Sequence, residues 1–255
     1  MYRYFIQLAY KGTNYHGWQI QPNAISVQEE LTKAISMISR EQVNVVGAGR
    51  TDTGVHASFF VAHFDLEKAL NDTVDFAYKL NRFLPNDIRI DRVIAVDANM
   101  HARFDALSRT YRYYYTYRKQ PFRDEFCALT PFRPNVELMN EAAKVLFDYT
   151  DFTSFSKLHT DVKTNDCKIM EAFWKQEDDL LVFEIKADRF LRNMVRAIVG
   201  TLIQVGQENI SIDGLRKIIE QKDRGAAGTS VKAKGLFLTD IEYPETVNMQ
   251  LVRKV

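Results

Sequence analysis

The 255-residue sequence predicts an α+β protein made of two halves of similar build. Three observations predict this. Runs of strand length with period-two alternation are interleaved with amphipathic helical runs along the whole chain. In the first half they fall in the order β-α-β-β-α-β. The second half repeats the alternation less regularly, after a connection at 99–108.

The elements follow in order. Residues 3–10 alternate well enough for a half-buried strand. Ser26-Val27-Gln28-Glu29 reads as a capping box and opens a helix with Val27, Leu31, Ala34, Ile35 and Ile38 on one face. Strands are expected at 43–46 and 58–64. A second helix over 73–84 turns Phe76, Ala77, Leu80 and Leu84 inward, and Pro85 stops it. Residues 88–96 give the fourth strand. That order is the ferredoxin-like split βαβ unit. In the second half, strands are expected at 110–118, 167–174, 180–187 and 235–243. Helices are expected at 137–148, 190–205 and 213–222, with long loops at 156–166 and 224–234. The expected division is 1–105 and 106–255.

Composition narrows the class. Hydrophobic content of 46% and charged content of 26% fit a soluble globular protein, long enough to bury a sizeable core. The opening Met1-Tyr2-Arg3-Tyr4 leads into a strand without a signal-peptide core, and no apolar run approaches the roughly 18 residues of a membrane span. Cys127 and Cys167 lack C-x-x-C spacing, so neither a zinc site nor a disulfide framework is indicated, and a cytoplasmic setting is expected. The five histidines include no H-E-x-x-H pair, so no metal is expected, and the absence of Gly-Lys-Ser/Thr excludes a Walker-type loop. Net charge is only +1, but 101–123 carries Arg103, Arg109, Arg112, Arg118, Lys119 and Arg123 against the single acid Asp105. That basic stripe points to an anionic partner.

Gly47-Ala48-Gly49-Arg50-Thr51-Asp52-Thr53-Gly54-Val55-His56-Ala57 sets a carboxylate beside a guanidinium and a histidine. The backbone there is loosened by glycines and lies between apolar runs, where a scaffold presents chemistry. A solvated Arg50–Asp52 turn is the plain alternative. The run 108–118 places Arg109, Tyr111, Tyr113, Tyr115 and Tyr117 on one face of a strand, with Arg112, Tyr114 and Arg118 on the other. Bases stack on aromatic rings and phosphates bind arginines. Tyrosines also favour strands, so one face is expected to be core. In 189–200, helical spacing puts Arg189, Arg192, Asn193, Arg196 and Gly200 on one stripe without a matching acid. Such a stripe suits an anionic partner, or Asp52 itself. The turn 10–19, with Gly12, Tyr15, His16, Gly17 and Trp18, fits either a binding loop or packed aromatics.

Taken together, the run 47–57, the segments 10–19, 100–104, 190–200 and 235–244, and Tyr111 with its neighbours resemble the motifs of the tRNA pseudouridine synthase A family, in the same order. The resemblance extends over nearly the whole chain and is most specific in Gly-Arg-Thr-Asp followed by Gly-Val-His. It implies isomerisation of uridine to pseudouridine at positions 38, 39 and 40 of the tRNA anticodon arm. It further implies two ferredoxin-like, RNA-recognition-like halves forming an extended, mostly antiparallel sheet with a central basic cleft, a homodimer and no cofactor. Asp52 takes the place of the catalytic carboxylate, Tyr111 that of the residue stacking on the target base, and Arg196 that of the basic partner of the aspartate. Arg50 matches the arginine linked with base flipping. Met100, His101, Ala102, Arg103 and Phe104 match an RNA-contacting segment. Arg109, Arg189 and Arg192 are further expected RNA contacts, as is the less well matched segment Asp161, Val162, Lys163, Thr164 and Asn165.

The reaction breaks an N-glycosidic bond, turns the uracil and rejoins it through C5. Glycosidases use two carboxylates because one must activate water. An isomerase that retains the base needs only one, either to attack C1′ or to take the 2′ proton. Both roles require an ionised carboxylate, which a neighbouring cation favours. Two other readings remain: a non-catalytic RNA-binding protein, which leaves Asp52 unexplained, and a hydrolytic nucleosidase, which would release free uracil.

Overall fold

In chain order, a computed structural model of the protein contains β1 (Tyr2–Tyr10), α1 (Val27–Ser39), β2 (Val46–Gly47), β3 (His56–Leu66), α2 (Thr73–Phe83), β4 (Ile88–Val96), β5 (Ser108–Thr116), β6 (Ala128–Leu129), α3 (Val136–Lys144), β7 (Ile169–Glu177), β8 (Leu180–Ala187), α4 (Met194–Gly206), α5 (Ile212–Glu220), β9 (Leu236–Glu242) and α6 (Glu245–Asn248). The structure describes residues 1–130, 132–157 and 164–251. The fold is α+β. The chain divides into two units, one of Met1–Ser108 with Leu238–Val255 and one of Arg109–Phe237. Among the described residues, no helix is long and apolar enough to cross a membrane.

In the first unit the strand order is β4-β1-β3-β9, with β2 pairing on β3. The central strand β1 runs antiparallel to both neighbours, opposing Tyr4 to Phe64 and Ile6 to Ala62 on β3, and Ile6 to Val93 on β4. Phe5, Ile6, Leu8, Phe60 and Phe64 are almost completely buried, and so are Leu31 and Ile35 of α1. Local signals set the helix starts. Ser26 accepts from the Glu29 N–H to cap α1, and Asp72 accepts from the Val74 and Asp75 N–H groups to cap α2. After α2, Leu84 is extended as the residue before Pro85 must be.

The expected strand at 43–46 shrinks to Val46–Gly47. Val43 and Val45 are buried as their alternation predicts, but their backbone groups bond to side chains of α1. Ser36 Oγ accepts from the Val43 N–H at 3.3 Å, and Gln28 Nε2 donates to the Val45 carbonyl at 2.7 Å. Those bonds satisfy the main chain without a strand ladder.

The second unit carries the antiparallel set β5-β8-β7, with β6 added parallel to β5. Helix α4 packs against α3 and α5 and is buried along nearly its whole length. Its start is corrected from 190 to Met194, because Asn193 adopts a left-handed backbone (φ 67°) that breaks the helical run. Arg189 and Arg192 therefore precede the helix, and the single stripe expected for 189–200 does not form. The strand expected at 110–118 is shifted to Ser108–Thr116, since the Thr116 hydroxyl accepts from the Arg118 N–H at 3.1 Å and turns the chain.

Candidate active site

The segment between β2 and β3 carries Asp52. Ala48 continues the sheet for one bond, its N–H donating to the Val61 carbonyl at 2.8 Å. The chain then turns over Asp52–Thr53–Gly54–Val55, closed by the Val55 N–H on the Asp52 carbonyl at 3.1 Å. Gly54 takes the positive φ (76°) that this turn requires. Asp52 is half-buried and Arg50 is exposed.

The turn at 10–18 holds this loop in place. Tyr10 and Thr51 share a hydroxyl–hydroxyl bond of 2.9 Å. The Trp18 N–H reaches the Thr51 carbonyl at 3.3 Å, and the Gly54 N–H reaches the Tyr15 carbonyl at 3.3 Å. Gly17 has φ 90°, and a side chain there would strike the Thr51 carbonyl. The turn is fixed in its own right: Asn14 Nδ2 and the Tyr15 hydroxyl both donate to the Asp87 carboxylate, at 3.1 and 2.5 Å. Burial first, and then that bond, raise the Tyr15 phenol pKa well above its usual value. The 10–19 segment is thus the support of the Asp52 loop. Its closely spaced Gly12 and Gly17 are the sequence signal for it.

His56 is buried at the start of β3, and its Nδ1 accepts the Gly12 N–H at 3.0 Å, which fixes the Nε2–H tautomer whenever the ring is neutral. One expectation about the loop changes: Gly47 does not open the backbone to a ligand, because the Trp18 indole fills the space a Cβ would take, and that indole stacks on Phe60 at 4.2 Å. Gly49 is different: a Cβ there would meet nothing within 4 Å, so this backbone is open to close approach.

The segment 100–105 is a tight knuckle in the same unit. The His101 N–H donates to Asp105 Oδ2 at 2.6 Å, and His101 Nδ1 accepts the Arg103 and Phe104 N–H groups at 3.1 and 3.3 Å. Arg3, paired with Asp65, donates to the Met100 carbonyl at 2.9 Å. Ala102 is buried; its N–H meets His63 Nδ1 at 3.2 Å, and its carbonyl takes the Tyr243 hydroxyl at 2.5 Å. Burial above all, then the neighbouring His101 and Arg3 charges, depress the His63 pKa to about 4; His101 is also lowered, chiefly by burial. The knuckle exposes Arg103 and Phe104, with the guanidinium 5.7 Å from the ring centroid. Met100 and His101 are half-buried.

In the second unit, β5 presents the tyrosine face as expected, and the middle of it is core. Tyr113 and Tyr115 are buried and bond to the Lys232 and Phe132 carbonyls at 3.1 and 2.9 Å. Tyr111 is half-buried, its ring edge-on to Phe190 at 5.2 Å between centroids. Within the basic stripe, Arg112 is committed to Glu184 at 2.8 Å, and Arg109 donates to the Asp188 carbonyl at 2.8 Å.

Arg196 lies in the first turn of α4, where the loop expected at 224–234 forms an ordered strap. Arg196 Nε donates to the Val231 carbonyl at 2.8 Å, and the Val231 N–H returns to the Arg196 carbonyl at 3.2 Å. Asn193 donates to the Ser230 hydroxyl at 2.7 Å, and the Gly228 N–H reaches the Thr201 hydroxyl at 3.0 Å. The strap lies so close to α4 that a side chain at Gly200 would strike the Thr229 carbonyl. Arg189 is half-buried, and Arg192 is exposed. Thr164 is exposed, while Asn165 is tied to the Thr153 hydroxyl at 2.9 Å. Asp161, Val162 and Lys163 lie outside the described residues.

Comparison with known proteins agrees with these motifs. A family model described as tRNA pseudouridine synthase matches residues 7–105 and 142–244. The chain is 58% identical over 245 residues to tRNA pseudouridine synthase A of Parabacteroides distasonis, covering 96% of this chain and 97% of that one. It is 58% identical over 257 residues to the protein of the same name from Bacteroides thetaiotaomicron, covering 100% and 95%. A more distant relative, tRNA pseudouridine synthase A of Colwellia psychrerythraea, is 39% identical over 251 residues, covering 97% and 96%.

Proposed function

This chain belongs to the tRNA pseudouridine synthase family, and we propose that the uridines it isomerises to pseudouridine lie at positions 38, 39 and 40 of the anticodon stem-loop. The reacting carboxylate in this reading is Asp52. One observation carries it: Asp52 is half-buried in a loop that three hydrogen bonds tie to the turn at 10–18, next to the open backbone of Gly49. A group that must meet a sugar carbon needs such a fixed position.

The target uridine leaves the stack before a carboxylate reaches its C1′. Extrusion costs a few kcal/mol, and stacking on an aromatic ring returns about 1–3 kcal/mol. Tyr111 supplies that ring, held by Phe190. Arg50, exposed on the Asp52 loop, holds the vacated place or a flanking phosphate. Arg196 is the cation that favours the ionised carboxylate. Its guanidinium is already oriented by the Val231 carbonyl. Arg103 and Phe104 of the knuckle, with Arg109, Arg189, Arg192 and the 161–165 segment, contact RNA around the target.

The reading extends to both units as ferredoxin-like and to a cytoplasmic homodimer without a cofactor. In the first unit it is supported by the element order β1-α1-β2-β3-α2-β4 and the strand order β4-β1-β3. The deciding experiment uses tRNA tritiated at C5 of uridine. Asp52→Asn is expected to bind this tRNA yet release no tritium, and the wild type to release tritium without free uracil. Measurable turnover by a clean Asp52→Asn preparation would remove Asp52 from the chemistry.

A further inference from the structure

A second cluster of aromatic and basic side chains lies in the second unit, beyond the end of β5. The chain leaves β5 at Thr116 and returns as β6, which pairs parallel with β5 through Tyr115–Ala128 and Thr116–Leu129. Both ends of this excursion are fixed. The Thr116 hydroxyl bonds the Arg118 backbone at its start, and the Tyr115 hydroxyl donates to the Phe132 carbonyl beyond its end. Lys234 also ties it down by pairing with Asp124 at 3.0 Å. Its tip is a turn closed by the Arg123 N–H on the Gln120 carbonyl at 3.0 Å, and the turn carries Phe122, 98% exposed.

The guanidinium carbons of Arg118 and Arg133 lie 5.7 and 5.5 Å from the centroid of the Tyr117 ring. Among the described residues, no carboxylate pairs with Arg118, Lys119, Arg123 or Arg133. Two guanidinium groups share one half-buried ring, which returns only a little to each like charge. A phenylalanine at the tip of a turn contributes nothing to the core. The arrangement gains when an anion lies between the arginines and a flat apolar surface meets Phe122. RNA offers both, because its phosphates neutralise arginine and its unpaired bases stack on aromatic rings.

We propose that Tyr117, Arg118, Phe122 and Arg133 form a second tRNA-binding surface, which takes up backbone phosphates and one unstacked base. Tyr117 is six residues beyond Tyr111 along extended chain, about 20 Å away, so the surface addresses RNA other than the target nucleotide. The proposal rests on tRNA as the substrate and is independent of the role given to Asp52.

The test measures binding of the full chain to unmodified tRNA at several salt concentrations. Arg118→Ala/Arg133→Ala is expected to weaken binding about tenfold near physiological salt and to reduce the log Kd against log salt slope by about 1.5, as lost phosphate contacts require. Phe122→Ala is expected to weaken binding by about tenfold with the slope unchanged, the signature of a lost stack. All three side chains are exposed, and unfolding temperatures equal to wild type would confirm intact variants. Wild-type affinity and slope in the arginine double variant would overturn the proposal and leave the patch to a different, non-RNA partner. Tritium release by Asp52→Asn, by contrast, would overturn the catalytic reading and leave this surface standing.

Discussion

The backbone N–H of Gly12 donates to Nδ1 of His56 across 3.0 Å, joining the end of β1 to the start of β3. The bond stands four residues past Asp52 and gives the histidine of the motif a structural task. Removing the ring leaves a buried N–H without its acceptor and a cavity beside it. His56→Ala should therefore lose about 2–4 kcal/mol of stability, while His56→Asn, which retains an acceptor near Nδ1, should lose clearly less. Urea unfolding of the two variants checks the order. Equal losses would mean that the ring acts by volume alone.

Gly17 tests the same support from the other side. With φ 90° and the Thr51 carbonyl against its α-carbon, Gly17→Ala suffers both backbone strain and a collision. Strain of this kind costs about 1–2 kcal/mol before the collision is added. In steady-state kinetics the variant should lose kcat more than tRNA affinity, because the displaced atom belongs to the residue before Asp52.

Tyr111 and Phe190 form an edge-to-face pair worth about 0.5–1.5 kcal/mol. Tyr111→Phe keeps the ring and should keep appreciable activity. Tyr111→Ala should be far more damaging, and Phe190→Ala intermediate. Activity in Tyr111→Ala equal to wild type would remove the stacking role.

The pH dependence of stability reports on His63. Its folded pKa of about 4 lies below the free value near 6.5, so the unfolded chain takes up the proton first as pH falls. This group leaves stability unchanged above pH 6.5 and erodes it by up to about 3 kcal/mol between 6.5 and 4. His63→Asn keeps an acceptor for the Ala102 N–H and cannot titrate. Urea midpoints from pH 7 to 4 should fall less steeply in that variant than in wild type.

Features set by neighbours in sequence were legible before the structure. The cap of α1 needs only Ser26 and the Glu29 N–H, and β4 and β8 begin and end where the alternation does. Features set by distant partners were not. Val43 and Val45 read as a strand, but Ser36 and Gln28 take their backbone bonds. The helical spacing of 189–193 is overruled by the left-handed Asn193, whose side chain is bound to Ser230, 37 residues further on. The candidate site divides in the same way. The sequence shows Asp52 and Tyr111 by residue type and pattern. It gives no sign that His56 turns inward, that Arg112 is spent on Glu184, or that Val231 orients Arg196.

The bonds from Tyr10, Tyr15 and Trp18 to the loop at 51–54 mean that the eleven residues from Gly47 to Ala57 do not carry their own conformation. Transplanted into another sheet, the motif would arrive without the turn that shapes it. The smallest portable piece of this enzyme is the pair of segments together, with Asp87 to brace them.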